Sequence, residues 1–178
     1  MKLEFHPVTA DRWADLEHLF ESKGGPHNCW CMVWRTNENK KTIPGKAGKK
    51  ASIKNRVDRG TPIGLLAYSD SKPIAWCSIA PRDTYKSLGG DESKDGVWSL
   101  ACFFIQRSFR NMGVTSQILA AALDYAKDNG AHYVEAYPVA PDSPSYRFMG
   151  FVPTFEKAGF RFVESAGSRR NVMILALT

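Results

Sequence analysis

The chain has 178 residues, of which 43% are hydrophobic, and that is enough to bury one sizeable core. We therefore predict a single domain over residues 1–178. No apolar run reaches the ~18 residues that span a bilayer, and the first residues lack the pattern of an export signal. Two of the four cysteines lie in apolar, strand-like runs, which favours reduced thiols over a disulfide framework. Composition thus excludes a membrane-spanning protein and favours a cytoplasmic one.

The net charge of +6 is concentrated in residues 35–59, where nine Lys and Arg stand against two acidic residues for a local balance of +7. The rest of the chain is therefore close to neutral. We favour a solvated, mobile face for this segment, and the alternative is a patch for an anionic partner. It has no interleaved aromatic residues for stacking on bases beyond Trp34 at its edge, which argues against nucleic acid.

The first elements are a short strand over residues 3–7 and a helix over 11–21, which Thr9 can cap. A loop signal, Ile43-Pro44-Gly45, precedes a second helix over about residues 49–59. That helix has few apolar residues, so we expect it to lie on the surface. Two apolar runs, 62–68 and 73–79, then form a hairpin, and the polar stretch 82–96 is an excursion over the surface.

Residues 27–35 are rich in sulfur and indole, and two interpretations remain open for them. Cys29 and Cys31 beside His27 resemble the start of a zinc site, but no second cysteine pair follows downstream. We therefore predict that the protein holds no metal. The segment instead packs as a wall of the core, or lines a substrate cleft with Trp30 and Trp34.

The most informative stretch is residues 97–130. The apolar run Val97–Ile105 predicts a buried strand, and after a basic turn an amphipathic helix ends at Asn129-Gly130. The first N–H groups of a helix have no intrahelical partners, and the helix dipole adds positive potential there. A strand that enters a helix through such a turn is typical of phosphate binding. Gly113 lets the backbone approach an anion closely.

A strand over residues 132–137 completes a right-handed β-α-β unit. An irregular stretch follows over 138–153, then a helical turn over 154–158 and two strands over 161–164 and 171–177. The order β-α-α-β-β-β-α-β-α-β-β predicts an α/β protein with a mixed sheet of about seven strands and helices on both faces. Strand order alone does not name a function.

The order of elements, together with Phe103-Phe104-Ile105 before Arg110-Asn111-Met112-Gly113-Val114-Thr115, resembles the GNAT (GCN5-related N-acetyltransferase) family. The signature of that family at this junction is Gln/Arg-x-x-Gly-x-Gly/Ala. A second landmark, a short helix ending in Gly-Phe, is matched by residues 155–160. The resemblance covers essentially the whole chain. It implies a GNAT-like sheet that is splayed in the middle.

The resemblance further implies acetyl-CoA as co-substrate, lying where the central strand and the strand over 132–137 splay apart. Backbone groups of Phe103 and Ile105 would pair with the pantetheine, and the turn would hold the pyrophosphate. An amine acceptor would enter from the side of the first two helices, near Trp30, Trp34 and Ser99. The implied cofactor-binding residues are Phe103, Phe104, Ile105, Arg110, Asn111, Met112, Gly113, Val114, Thr115 and Ser116.

Three positions depart from the family's pattern. Thr115 replaces the last Gly or Ala of the signature. Ser99 stands where some members carry a glutamate base, and Phe155 where many carry a tyrosine that protonates the leaving thiolate. The substitutes nearest in sequence are Tyr146, Glu135 and Tyr137, which we name as catalytic candidates. For each, the alternative is a packed aromatic or a strand carboxylate without a catalytic role.

We therefore expect an N-acetyltransferase that moves an acetyl group directly from acetyl-CoA to a primary amine of a small molecule or a peptide N-terminus. Two alternatives stay open: a non-catalytic GNAT-like module that binds acyl-CoA, and an RNA-associated protein that uses residues 35–59. A homodimer is also left open. The identity of the acceptor is beyond the sequence.

Overall fold

The computed structural model describes residues 1–36 and 45–178. Its centre is a seven-stranded mixed sheet of order β1-β2-β3-β4-β5-β7-β6, which confirms the predicted α/β class. The strands are β1 Glu4–Pro7, β2 Gly64–Ser69, β3 Lys72–Pro81, β4 Val97–Ile105, β5 Tyr133–Ala136, β6 Arg161–Ala166 and β7 Arg170–Ala176. The helices are α1 Trp13–Glu21, α2 Gly45–Asp58, α3 Val114–Asp128 and α4 Val152–Lys157.

The sheet carries helices on both faces, as its alternating side chains require. Leu65 and Ala67 of β2 belong to the cluster that buries α3, whereas Leu66 and Tyr68 belong to the cluster that buries α1 and α2. Successive residues of a strand point to opposite faces, so α3 lies on one face and the first two helices lie on the other. Helix α3 buries one stripe at helical spacing, namely Val114, Ile118, Leu119, Ala122 and Ala126.

The middle of the sheet opens between β4 and β5, which confirms the predicted splay. The two strands pair in parallel from Val97 opposite Tyr133 to Leu100 opposite Ala136, where β5 ends. On its other side β4 stays paired with β3 as far as Ile105 opposite Ala75. The register shift there leaves Ala101 as an extra residue in β4, because Ile79 pairs with Leu100 and Ser78 with Cys102. Residues 101–105 therefore present a strand edge to the opening.

Two expectations for the basic segment need correction. Helix α2 begins at Gly45 and buries Ile53 and Val57 against the core, rather than lying loosely on the surface from residue 49. Arg35 and Arg56 are 0% and 1% exposed, so these two cations do not belong to a solvated face. Ile43 and Pro44 of the predicted loop lie outside the described residues. Within residues 1–36 and 45–178, no helix has both the length and the apolar composition needed to cross a bilayer.

Candidate functional site

A cleft of about 620 Å³ follows the open edge of β4 into the turn that begins α3. One wall is the strand end and the turn, and the other is the segment just before and within α4. The residues that line the cleft are Phe103, Phe104, Ile105, Phe109, Arg110, Asn111, Gly113, Val114, Thr115, Arg147, Phe148, Gly150, Phe151 and Thr154. The cleft thus joins a strand edge, which can pair with amide groups, to a helix start, which can hold an anion.

The turn that lines the cleft has an unusual backbone conformation. Asn111 and Gly113 both have left-handed backbone angles, with φ of 60° and 74°, and Gly113 is the N-cap of α3. No side chain caps this helix start, and Gln117 is the residue whose amide bonds back to the Gly113 carbonyl. A Cβ at Gly113 would meet only Gln117 Nε2, at 3.9 Å. The position is therefore constrained by its φ and by what approaches from the cleft, rather than by crowding.

Two arginines give this cleft a positive charge. Arg110 donates from Nε to the Ile105 carbonyl at 3.0 Å, which ties the turn to the end of β4. Arg147 donates from Nη1 to the carbonyls of Pro141 at 2.7 Å and Ser143 at 3.0 Å. Its guanidinium also lies 4.7 Å from the Phe151 ring centre. Sequence reasoning missed Arg147, because it lies in the irregular stretch 138–153 and carries no motif.

The structure brings together eight of the ten residues that the resemblance assigned to the cofactor. Met112 and Ser116 are not among the lining residues of the cleft, and Met112 is 51% exposed to solvent. The carbonyl of Ile105, assigned to pantetheine, already accepts the Arg110 bond and keeps its second lone pair for a ligand. The assignment of these residues to acetyl-CoA stays a prediction.

A second cleft of about 220 Å³ opens on the face of the sheet that carries α1 and α2. It shares Phe103, Phe104 and Phe148 with the first cleft, so the two meet at the open edge of β4. Most of the side chains that line it are aromatic, aliphatic or cysteine side chains. The lining residues are Pro26, Cys29, Cys31, Val33, Trp34, Ser78, Tyr85, Ala101, Cys102, Phe103, Phe104 and Phe148.

Of the two predicted cleft tryptophans, Trp34 lines this second cleft and Trp30 does not. Trp30 is 0% exposed, stacks on Trp13 at 5.8 Å between ring centres and packs on Phe20 at 5.2 Å. The prediction that Trp30 contacts substrate is therefore wrong, and the alternative of a core wall holds for it. The packing of α1 against the sheet decides which indole is covered.

Two cysteines of this cleft, Cys29 and Cys31, have raised pKa values and are protonated thiols. A hydrogen bond with Cys31, together with burial, raises the pKa of Cys29. A hydrogen bond with Cys102, and then burial, raises the pKa of Cys31. Cys31 Sγ also accepts from Trp76 Nε1 at 2.9 Å. Across the described part of the chain, no three His, Cys, Asp or Glu side chains converge as metal ligands would.

The polar end of the second cleft is held by Arg35. From Nη2 its guanidinium donates to Ile63 O at 2.6 Å, Ser78 Oγ at 2.9 Å and Tyr85 Oη at 3.1 Å. It also lies over the Tyr85 ring, 4.6 Å from the centre. Burial raises the pKa of Tyr85, and the Arg35 charge opposes that shift. The Tyr85 hydroxyl is therefore neutral at pH 7.

Ser99, Tyr137 and Glu135 form a buried chain outside both clefts. The Ser99 and Tyr137 hydroxyls are 2.7 Å apart, and Tyr137 donates to Glu135 Oε1 at 2.8 Å. None is more than 1% exposed. A Cβ on Gly90 would meet Glu135 Oε2 at 2.0 Å, so the Gly90 backbone covers this carboxylate. Burial raises the pKa of Glu135, opposed by the Tyr137 hydrogen bond and by Arg82. The geometry thus corrects the expectation that these three side chains touch substrate.

Tyr146 is the catalytic candidate that lies nearest the clefts. Its side chain is 38% exposed and its φ is 58°, a strained value for a residue with a Cβ. Its ring centre lies 6.0 Å from that of Trp34 and 6.3 Å from that of Phe148, two lining residues of the second cleft. Phe155, in contrast, is fully buried between Phe103 and Phe160.

Comparisons with known proteins agree with this architecture. PaiA N-acetyltransferase from Thermoplasma acidophilum, solved with coenzyme A, is 14% identical with a TM-score of 0.61, and the match covers 99% of this chain and 100% of that one. YncA from Salmonella typhimurium, a putative acetyltransferase solved with acetyl-CoA, is 14% identical with a TM-score of 0.61 over 99% and 94% of the chains. Aminoglycoside acetyltransferase AAC(6')-Ib, solved with coenzyme A, is 15% identical with a TM-score of 0.62 over 98% and 95%.

At such identities these structures show a shared fold. No curated protein sequence matches the chain. The family model described as "Acetyltransferase (GNAT) family" matches residues 13–151. Because that match spans most of the sequence and the fold agrees with it, the protein belongs to the GNAT family of acetyltransferases.

Proposed function

We propose that this protein transfers the acetyl group of acetyl-CoA directly to a primary amine of a small molecule or a peptide N-terminus. The observation that carries the proposal is the junction of the two clefts at the open edge of β4. One cleft has the strand edge and helix start that suit a long polar thioester with a pyrophosphate. The other provides a separate entrance for an acceptor.

The reaction needs one bond made and one broken. The amine nitrogen attacks the thioester carbonyl carbon, a C–N bond forms, the C–S bond breaks, and the sulfur leaves as a thiolate. The nitrogen gives up one proton and the thiolate takes one. The protein holds the two reactants together, which converts a bimolecular step into an effectively unimolecular one.

In this scheme the turn at Gly113 and the charge of Arg147 hold the phosphates, and the β4 edge holds the pantetheine. Tyr146 is the first candidate to protonate the thiolate, because its hydroxyl-bearing ring borders the second cleft. No carboxylate or histidine is among the described residues that line either cleft. The acceptor therefore loses its proton to solvent before it attacks. The four free cysteines suit a reducing compartment, so we place the reaction in the cytoplasm.

The test is acetyl-CoA turnover against a panel of arylalkylamines, polyamines, aminoglycosides and peptides, with released thiol and acetylated product both measured. We expect thiol and product in equal amounts with at least one acceptor, and little thiol without one. Binding of acetyl-CoA without turnover of any acceptor would contradict the proposal and leave the alternative of a binding module. The structure removes two of the nine cations that the RNA-associated alternative would use, because Arg35 and Arg56 are buried.

A further inference from the structure

We infer that the second cleft selects acceptors whose amine is carried on an apolar body, a single aromatic ring being the best fit, and which have no second positive charge. This inference rests on the proposed function and names the class of acceptor for that same site. It would place polyamines and aminoglycosides among the poor substrates, and uncharged or singly charged arylalkylamines among the good ones.

The size and surface of the cleft argue for a compact apolar body. At about 220 Å³ it is smaller than the roughly 300–1,000 Å³ typical of pockets for drug-sized ligands. Its walls come from Trp34, Phe104 and Phe148, together with the sulfur atoms of Cys29 and Cys102. Aromatic and sulfur groups of this kind pack well against a ring.

Charge argues against a second ammonium group. No Asp or Glu is among the described lining residues of the cleft, and an ammonium buried without a carboxylate pays a large desolvation penalty. Three cations also contact residues that line the cleft. Arg35 donates to Ser78 and Tyr85, and the guanidinium of Arg170 lies 5.1 Å from the Trp34 ring centre. Lys86 donates from Nζ to the Val33 carbonyl at 3.0 Å.

The free polar groups of the cleft include two hydrogen-bond donors. Nε1 of Trp34 is buried and has no partner among the described residues. Arg35 donates a hydrogen bond to the hydroxyl oxygen of Ser78 and to that of Tyr85. The two hydroxyl groups are also hydrogen-bonded to each other at 2.9 Å, which uses one of their two hydrogens. One hydroxyl hydrogen therefore remains to donate. Donors suit the lone pair of a neutral amine or an ether or carbonyl oxygen, whereas an ammonium group has only donors.

The test compares 4-(hydroxymethyl)benzylamine with 4-(aminomethyl)benzylamine. The two have the same ring, the same reacting aminomethyl group and nearly the same size, and they differ in the second charge. For the wild-type protein we expect kcat/KM with acetyl-CoA to be at least tenfold higher for the hydroxymethyl compound. When both compounds are titrated into protein saturated with coenzyme A, the hydroxymethyl compound should again bind more tightly. This titration measures selection in binding separately from the rate of acetyl transfer.

A matched pair of variants tests whether charge is the cause. Val33 lines the cleft and is 45% exposed, so a polar side chain is accommodated there without burial. Val33→Asp should lower the ratio of kcat/KM for the hydroxymethyl compound to kcat/KM for the diamine at least threefold. Val33→Asn, in which asparagine has the shape of aspartate without its charge, should leave this ratio as in wild type. An equal effect of both variants would overturn the charge argument.

The other outcomes separate this inference from the function that it builds on. If the wild-type protein acetylates the diamine as well as the hydroxymethyl compound, or better, the inference is overturned while acetyl transfer stands. If acetyl-CoA binds and no amine of any class is acetylated, the proposed function itself fails, and the inference fails with it.

Discussion

Replacement of Gly113 by alanine tests the assignment of the turn before α3 to the phosphates of acetyl-CoA. Gly113 has a φ of +74° and lines the first cleft, and a Cβ there would have no protein atom closer than Gln117 Nε2 at 3.9 Å. The added methyl group therefore projects into open space at the helix start. An anion that approaches the amides of this turn would meet it.

The variant should show two separable effects. A left-handed backbone costs a residue with a Cβ about 1–2 kcal/mol, and each kcal/mol lowers the melting temperature of a protein of this size by about 2–4 °C. Loss of one charge-assisted hydrogen bond to phosphate costs about 1.5–3 kcal/mol, which is roughly a 10- to 150-fold rise in the Kd for acetyl-CoA. Calorimetric titration measures the second effect and thermal unfolding measures the first.

Gly130→Ala is the matched control. Gly130 follows the other end of α3, has a φ of +80°, and a Cβ there would meet nothing within 4 Å. The control therefore introduces the same backbone strain away from the cleft. We expect a similar loss of melting temperature with an unchanged Kd. Equal Kd values for the two variants would refute the assignment of the turn to phosphate binding.

Three further predictions concern the buried carboxylate, the acceptor and the cysteines. Burial raises the pKa of Glu135, so ionisation of this side chain lowers the free energy of unfolding. The loss of stability is absent below the pKa of the unfolded state and is complete once the pH has risen through the pKa of the folded state. Glu135→Gln should therefore gain stability relative to wild type between pH 4.5 and 7 in urea unfolding, and a difference that does not change with pH would contradict this. No carboxylate or histidine is among the described residues that line the clefts, and an acceptor of pKa ~10.4 needs about 4.6 kcal/mol to lose its proton at pH 7. Its kcat/KM should thus climb past pH 8, and a plateau by pH 6.5 would reveal a base. Because Cys29 and Cys31 lack a completing pair, purified protein should contain no stoichiometric zinc, and one equivalent by elemental analysis would overturn this.

The sequence predicts the middle of the chain well because the signals there are local. The bounds of β4 follow from one run that is apolar except for Ser99, and the stripe and stop signal of α3 are complete within residues 114–130. Helix α2 begins four residues earlier than expected. It has a weak apolar pattern of its own, and contacts of Ile53 and Val57 with distant parts of the chain hold it in place.

The parts of the site that the sequence does not reveal depend on contacts between distant residues. Arg35 is buried because Ile63, Ser78 and Tyr85 accept its hydrogen bonds, and they lie 28 to 50 residues away along the chain. Arg147 reaches the first cleft from an irregular stretch without periodicity. The second cleft likewise exists only once residues 26–34, β3, β4 and Phe148 are packed together.

The most direct measurement follows the acetyl group itself. Acetyl-CoA carrying ¹³C at the thioester carbonyl is mixed with the protein and 4-(hydroxymethyl)benzylamine, and the carbonyl resonance is followed by NMR. The account predicts that the label moves from the thioester to an amide, in step with the release of thiol, and that Gly113→Ala slows the transfer while Gly130→Ala does not. Label that stays in the thioester, or that appears only as acetate, with this compound and with every other amine of the panel, in protein that binds acetyl-CoA, would contradict direct transfer to an amine.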